Sequence, residues 1–421
     1  MLDGLLFFVR PAIPAIVLVS FVALSALFFI WLERKVSARI HDRLGPTRVG
    51  KFGLLQTLAD GIKLLAKEDF IPPQADQLLF RMGPYLAFLG AFLPFVILPF
   101  GYGLAPIETG VSVFLLLALM SLEVFGVILA GYASGNKWSL FGAIRESAQM
   151  VSYEVPRTLC VVIVLMAAGT MNLADIARQQ TGFFWNWFIF RDPFLFITFW
   201  VFFTCGVAGC KRAPFDLAEA ESELVAGFHT EYSGLRWSLF FMAEYGSMFV
   251  ISGVACVLFL GGWQTGLLPV DPVSWLGFVG GNIVNAIIFI LKCWILVFIM
   301  MWVRWTLPRL RIDQVMTTCL KYLVPICCVC LIGSALWPLL WNTLLPGWFQ
   351  WRQPAGIPVR VELAPLSPPG RGVGGEGASS RVEPLLKHGL IQNNPSSLTL
   401  LPGGEKRTRQ MQEVCQSEVS R

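Results

Sequence analysis

Along most of this chain apolar residues run in unbroken stretches of helix length, separated by short polar segments. A membrane-crossing helix needs about 20 mostly apolar residues. About eight windows qualify, near 11–32, 84–100, 111–133, 151–171, 193–210, 236–260, 277–303 and 322–345. Breakers bound them, among them Pro84, Gly101-Tyr102-Gly103, Asp192-Pro193, Gly261-Gly262 and Pro346-Gly347. Nothing resembles the run of short alternating segments that closes a barrel. The pattern therefore predicts an all-α polytopic transmembrane bundle, whose backbone groups are satisfied within each segment. Glu33-Arg34-Lys35 follows the first window where a signal peptide would carry a small-residue cleavage site, so a retained helix is expected.

Two connections change the period. In FGLLQTLADGIKLLAK, Leu54, Leu55, Leu58, Ile62 and Leu65 have amphipathic helix spacing. Asp60 and Lys63 lie three apart on its polar side, and Gln56 lies four before Asp60. Such a helix lies on the membrane surface or forms the wall of a polar cavity; spacing does not choose between them. The second connection, RAPFDLAEAESELVAGFHTEYSG, runs from Arg212 to Gly234 and carries Asp216, Glu219, Glu221, Glu223 and Glu231. If LAEAESELV is helical, Asp216, Glu219 and Glu223 share a face and Glu221 points elsewhere. Like charges on one face raise the proton affinity of at least one of them, a property that suits a proton path. A solvated acidic loop is the alternative; the interleaved Phe215, Leu217, Leu224 and Val225 argue against it.

Composition agrees with the windows: 55% of the 421 residues are hydrophobic and 14% charged, with a mean hydropathy of +0.65. Charge then orients the bundle. Lys and Arg crowd the connections after the first, third, fifth and seventh windows, from Arg34 and Lys35 through Arg145, Lys211 and Arg212 to Arg304 and Arg309. The alternate loops hold little beyond Arg178 and Arg191. The positive-inside rule puts the basic connections in the cytoplasm and both termini on the other side. This asymmetry accounts for the net charge of +5 and gives no reason to invoke nucleic acid. From about Arg352 the material changes to stretches such as SPPGRGVGGEGASS, so a membrane domain over 1–350 and a disordered polar tail over 351–421 are expected.

Three ionisable residues fall well inside apolar windows: Glu123, Glu244 and Lys292. Each costs about 2.5–3.5 kcal/mol at a helix centre unless it pairs or meets water. Buried pairing or snorkelling would answer for one of them; acids and a base on separate helices favour a hydrated polar axis. The ten cysteines include Cys327 and Cys330 as a C-x-x-C pair. No second ligand pair accompanies it, so packing as small hydrophobes is expected. His41, His229 and His388 are too far apart to suggest a metal triad, and no metal site is predicted.

The ordered blocks ERKVSARIHDRLGPTRVG, GLLQTLADGIKLLAKEDFIP, GYASGNKWSLFGAIRESAQMVSYEVP, RAPFDLAEAESELVAGFHTEYSG, MAEYGSM, LFLGGW and WVRWTLPRLRIDQVM span roughly Leu18 to Pro346. Together they resemble one family, the H membrane subunit of bacterial NADH:quinone oxidoreductase (respiratory complex I), called subunit 1 in mitochondria. The resemblance implies a bacterial inner-membrane component, not catalytic alone, with no iron–sulfur cluster and no NADH site. It would form a tunnel for quinone (ubiquinone or menaquinone), the substrate, and couple quinone reduction to proton translocation. Its partners would be quinone-site subunits of the peripheral arm on the cytoplasmic face, small membrane-arm subunits and the lipid bilayer.

Carried over by position, the quinone-site candidates are Arg34, Lys35, Asp60 and Lys63. The proton-coupling candidates are Glu123, Glu154, Glu219, Glu221, Glu223, Glu231 and Glu244, joined by Lys292 on the strength of its place in an apolar window. Arg304 and Arg309 would flank the cytoplasmic face. One block departs from the family pattern: where Ala-Glu-Thr-Asn-Arg is usual, this chain has Ala208-Gly209-Cys210-Lys211-Arg212. A carboxylate is lost at 209 and a cation gained at 211. The equivalent subunit of a membrane-bound hydrogenase and a plain membrane anchor are the alternative readings; the anchor leaves Glu123, Glu244 and Lys292 unexplained.

Overall fold

Each apolar window folds as a helix. The computed structural model describes residues 2–218, 221–266 and 272–344; the tail expected over 351–421, with His388, lies outside them. Among the described residues there is no strand, only an isolated bridge between Phe183 and Gly266. The long helices are α1 (Leu2–Ile40), α2 (Gln56–Ala66), α3 (Gln77–Phe92), α4 (Ser112–Ala133) and α5 (Lys137–Ala168). They continue with α6 (Pro193–Gly209), α7 (Gly234–Phe259), α8 (Pro272–Thr306) and α9 (Val324–Leu344). Seven segments of the described chain are long and apolar enough to cross a membrane. The remaining window, α6, has 17 residues, about 26 Å of helix against a hydrocarbon core of about 30 Å. The protein is a multi-pass helical bundle.

Local chemistry starts and stops these helices. Asp76 accepts from the amides of Leu78 and Leu79 at the head of α3, and Asn136 accepts from Trp138 at the head of α5. Asp192 accepts from Phe194 beside Pro193, the first residue of α6. Pro156 sits inside α5 and cannot donate to the carbonyl of Ser152. The Cys319 thiol donates to that carbonyl instead, at 2.9 Å. Cys160 and Cys327 lie 3.5 Å apart, sulfur to sulfur, as free thiols.

Helix α7 forms the centre, with Ala243 to Phe259 buried without interruption. Phe21 of α1 and Phe95 and Phe100 from the segment after α3 pack around its Phe249. Helices α3 and α4 pack almost backbone to backbone. A Cβ at Gly90 would lie 2.3 Å from the amide nitrogen of Glu123, and one at Gly126 would lie 2.3 Å from that of Ala87. Small residues allow this approach in the absence of a hydrophobic driving force between helices, and it sets the position of Glu123.

Candidate functional site

The acidic connection does not fold as one helix. Lys211 has φ 57, in the left-handed region, which costs a side-chain-bearing residue about 1–2 kcal/mol. Pro214 then gives its carbonyl to the amide of Leu310 at 3.0 Å, and helix resumes only over Glu221–Leu224. The expectation that Asp216, Glu219 and Glu223 share a helical face is therefore corrected for the two that are described. Asp216 lies in the non-helical turn and meets Arg309 at 3.2 Å, while Glu223 pairs with Arg145 of α5. Glu219 and the side chain of Glu221 lie outside the described residues.

The left-handed turn divides two adjacent cations. Arg212 is 2% exposed; its Nη1 donates to both oxygens of Glu33 on α1, at 3.0 and 3.2 Å. Its Nε lies 2.5 Å from Glu244 of α7, and the guanidinium stacks 4.5 Å from the Tyr245 ring. Tyr245 donates to Glu33 at 2.5 Å, and Arg304 of α8 completes the group from the rim. Lys211, 5% exposed, turns the other way. Its ammonium lies 2.8 Å from Glu146 of α5 and 3.2 Å from Glu123 of α4. The other oxygen of Glu123 accepts from Ser247 at 2.5 Å. Ser247 is three residues past Glu244 on α7, so the two groups adjoin.

Four buried carboxylates, Glu33, Glu123, Glu146 and Glu244, thus share buried Lys211 and Arg212, with Arg304 half-buried beside them. Burying isolated charges costs several kcal/mol each, and the arrangement is tolerable because each carboxylate faces a cation. Burial alone would pull Lys211 down, yet Glu146 and Glu123 hold it above the ordinary ammonium range. Arg157, also buried, meets Glu154 at 3.6 Å. A Cβ at Gly209 would lie 3.2 Å from the Nη1 of Arg157.

A second, more exposed cluster starts one residue from Glu33. Arg34 reaches Asp60 of α2 at 2.6 Å, and Lys63 stands 3.7 Å from the same carboxylate. Gln56 donates to it at 3.3 Å. Partial burial works to raise Asp60, and the stronger pull of Arg34 with Gln56 and Lys63 leaves it below its ordinary value. Lys35 leaves this group and donates to the carbonyl of Pro46 at 2.7 Å. Residues 33 and 34, consecutive on α1, therefore feed the buried network and the exposed cluster respectively.

Several expected residues stand apart. Glu154 faces outward on α5, and Glu231 accepts from Asn136 at 2.6 Å. Glu223 is 56% exposed, held below its ordinary value by Arg145. Lys292 donates to the carbonyls of Leu260, Gly262 and Gln264 at 2.7, 3.1 and 2.6 Å, with its ammonium 4.2 Å from the Trp187 ring. Leu260 is sixteen residues from Glu244 along α7, about 24 Å at 1.5 Å per residue. Glu33, Glu146, Lys211, Arg212 and Tyr245 were not among the expected site residues. For Glu146 a signal existed: Gln149, Tyr153 and Arg157 continue its helical phase, and all four are buried.

The NADH dehydrogenase family matches residues 13–335. The H subunit of NADH-quinone oxidoreductase from Anaeromyxobacter dehalogenans is 42% identical over 347 residues, which cover 80% of this chain and 83% of the relative. Its counterpart from Chlorobaculum tepidum is 45% identical over 329 residues, covering 77% and 90%. The second H subunit of Koribacter versatilis is 42% identical over 361 residues, covering 79% and 98%.

Proposed function

The chain belongs to the NADH dehydrogenase family as a multi-pass H subunit of NADH-quinone oxidoreductase, and from that membership we propose that it links quinone reduction to proton movement through its buried carboxylates. In this reading Arg34, Asp60 and Lys63 border the quinone-access path, with Lys35 holding the adjoining loop. Glu244, Glu123 and the acids of the 212–234 connection belong to the proton route, which also takes in Glu33 and Glu146. Lys292 serves the fold instead, because it answers the carbonyls at the far end of α7. The quinone is substrate, and the peripheral-arm subunits that reduce it dock on the cytoplasmic, basic face. The membrane is the bacterial inner membrane, with both termini on the non-cytoplasmic side.

One observation carries the reading: consecutive residues of α1 join the exposed Arg34–Asp60 cluster to the buried Glu33–Arg212–Glu244 group. Quinone reduction takes up protons and changes the charge near the first cluster. Glu33, one peptide unit away and shared by Arg212, Arg304 and Tyr245, feels that change in a buried setting where charges are weakly screened. The test is Arg34→Ala and Asp60→Ala in the assembled complex. Both should lower NADH:quinone activity by about tenfold or more while NADH oxidation by an artificial acceptor is retained. Unaltered quinone turnover in both would remove the cluster from the quinone path.

A further inference from the structure

Position 211 lies between two carboxylates on different helices, and its side chain is the one group described in contact with both. The Lys211 ammonium is 2.8 Å from Glu146 of α5 and 3.2 Å from Glu123 of α4. It is buried, with the Phe228 ring 5.4 Å away and His229 next along the chain. Ser247 extends the series from Glu123 toward α7 and Glu244. The backbone at 211 is left-handed, a conformation that asparagine tolerates better than lysine. Two residues earlier, Gly209 presents bare backbone beside the Arg157 guanidinium.

We propose that Lys211 is a proton-transferring link between Glu146 and Glu123. The inference rests on the acid route proposed above and assigns one of its steps. A proton passes from the Lys211 Nζ to Glu123, breaking an N–H bond and forming an O–H bond. The amine so formed takes the proton of a protonated Glu146, which returns to carboxylate. No charge or electron is left over. Lysine suits the step because its ammonium can lose a proton in a buried setting, where the ion pair and the neutral pair draw together in energy. Arginine does not, since its guanidinium stays charged. When Glu146 and Glu123 are both ionised they hold Lys211 protonated. A proton arriving on Glu146 removes one of the two attractions and places an acid beside the nitrogen.

The test uses the complete complex in sealed vesicles and reads the rate of proton translocation together with the protons moved per quinone reduced. NADH oxidation by an artificial acceptor reports assembly. Lys211→Arg, which keeps the charge, and Lys211→Asn should each slow coupled proton transfer by about 10²-fold. Should Lys211→Asn assemble poorly, Lys211→Arg carries the test alone. Parental coupling in Lys211→Arg overturns the link. Glu123→Gln, measured in parallel, separates the two levels. If Glu123→Gln uncouples and Lys211→Arg does not, only the link falls; if Glu123→Gln couples as the parent does, the acid route falls and takes the link with it.

Discussion

Helix α7 meets cations at two places, around Glu244 in its N-terminal half and just past its C-terminus at Leu260, and each is answered with different chemistry. At the Leu260 end, Lys292 is surrounded by three carbonyls and an indole ring, groups that hold a charge without exchanging protons. These carbonyls close the C-terminal end of the helix, where a cation is favoured. Around Glu244, Arg212 and Lys211 are surrounded by four carboxylates from α1, α4, α5 and α7. An ionisable residue in an apolar window is thus no guide to function until its partners are known: carbonyl partners make a cap, and carboxylate partners make a group whose charge can change.

The largest effect should come from breaking the acidic group around Glu244. Arg212→Met leaves Glu33 and Glu244 without their shared cation and should cost about 3–5 kcal/mol. Little assembled complex should then be recovered from membranes, and parental yield and thermal stability would show that the two glutamates find other partners. Next comes Lys292→Met, which removes donors from the carbonyls of Leu260, Gly262 and Gln264 and should cost about 1–3 kcal/mol. The midpoint of thermal inactivation should fall, while proton translocation per quinone in the surviving complex stays at the parental ratio.

The smallest effect concerns His229. Burial first, and then the charge of Lys211, push its pKa down from the ordinary 6.5 to about 4. Below pH 6.5 the unfolded chain binds this proton and the folded one does not until about 4. The stability His229 contributes is therefore full above 6.5 and lost as pH falls through that window. His229→Phe should flatten the acid-side loss of thermal stability there; an unchanged slope would assign it to other groups.

The sequence showed the bundle more clearly than the site. All the apolar windows contain helix, because hydrophobic length is a local property. The start of α5 was hidden, since Lys137, Ser139, Arg145, Glu146 and Gln149 lower its hydropathy. Yet Ser139, Glu146 and Gln149 are buried, with Ser139 donating to the carbonyl of Phe228 and Gln149 to that of Ala208. Glu123 and Glu244 stood out because acids are costly in apolar windows, and both lie in the network. Glu33, Lys211 and Arg212 looked like loop charges because they border the windows. Their burial depends on partners far away in sequence: Arg212 reaches back 179 residues to Glu33, and Tyr245 reaches back 212. The acidic connection differs for a related reason: its periodicity suggested a helix, but Asp216 and Leu217 are non-helical and Asp216 pairs with Arg309, distant in sequence.

The most direct measurement compares Glu123→Gln with Lys292→Met in the same vesicle assay, counting protons translocated per quinone reduced. A reduced ratio is expected for Glu123→Gln, because a carboxylamide cannot pass the proton, and the parental ratio for Lys292→Met. A parental ratio for Glu123→Gln, or an equal loss in both, would contradict the claim that proton chemistry belongs to the carboxylates around Glu244.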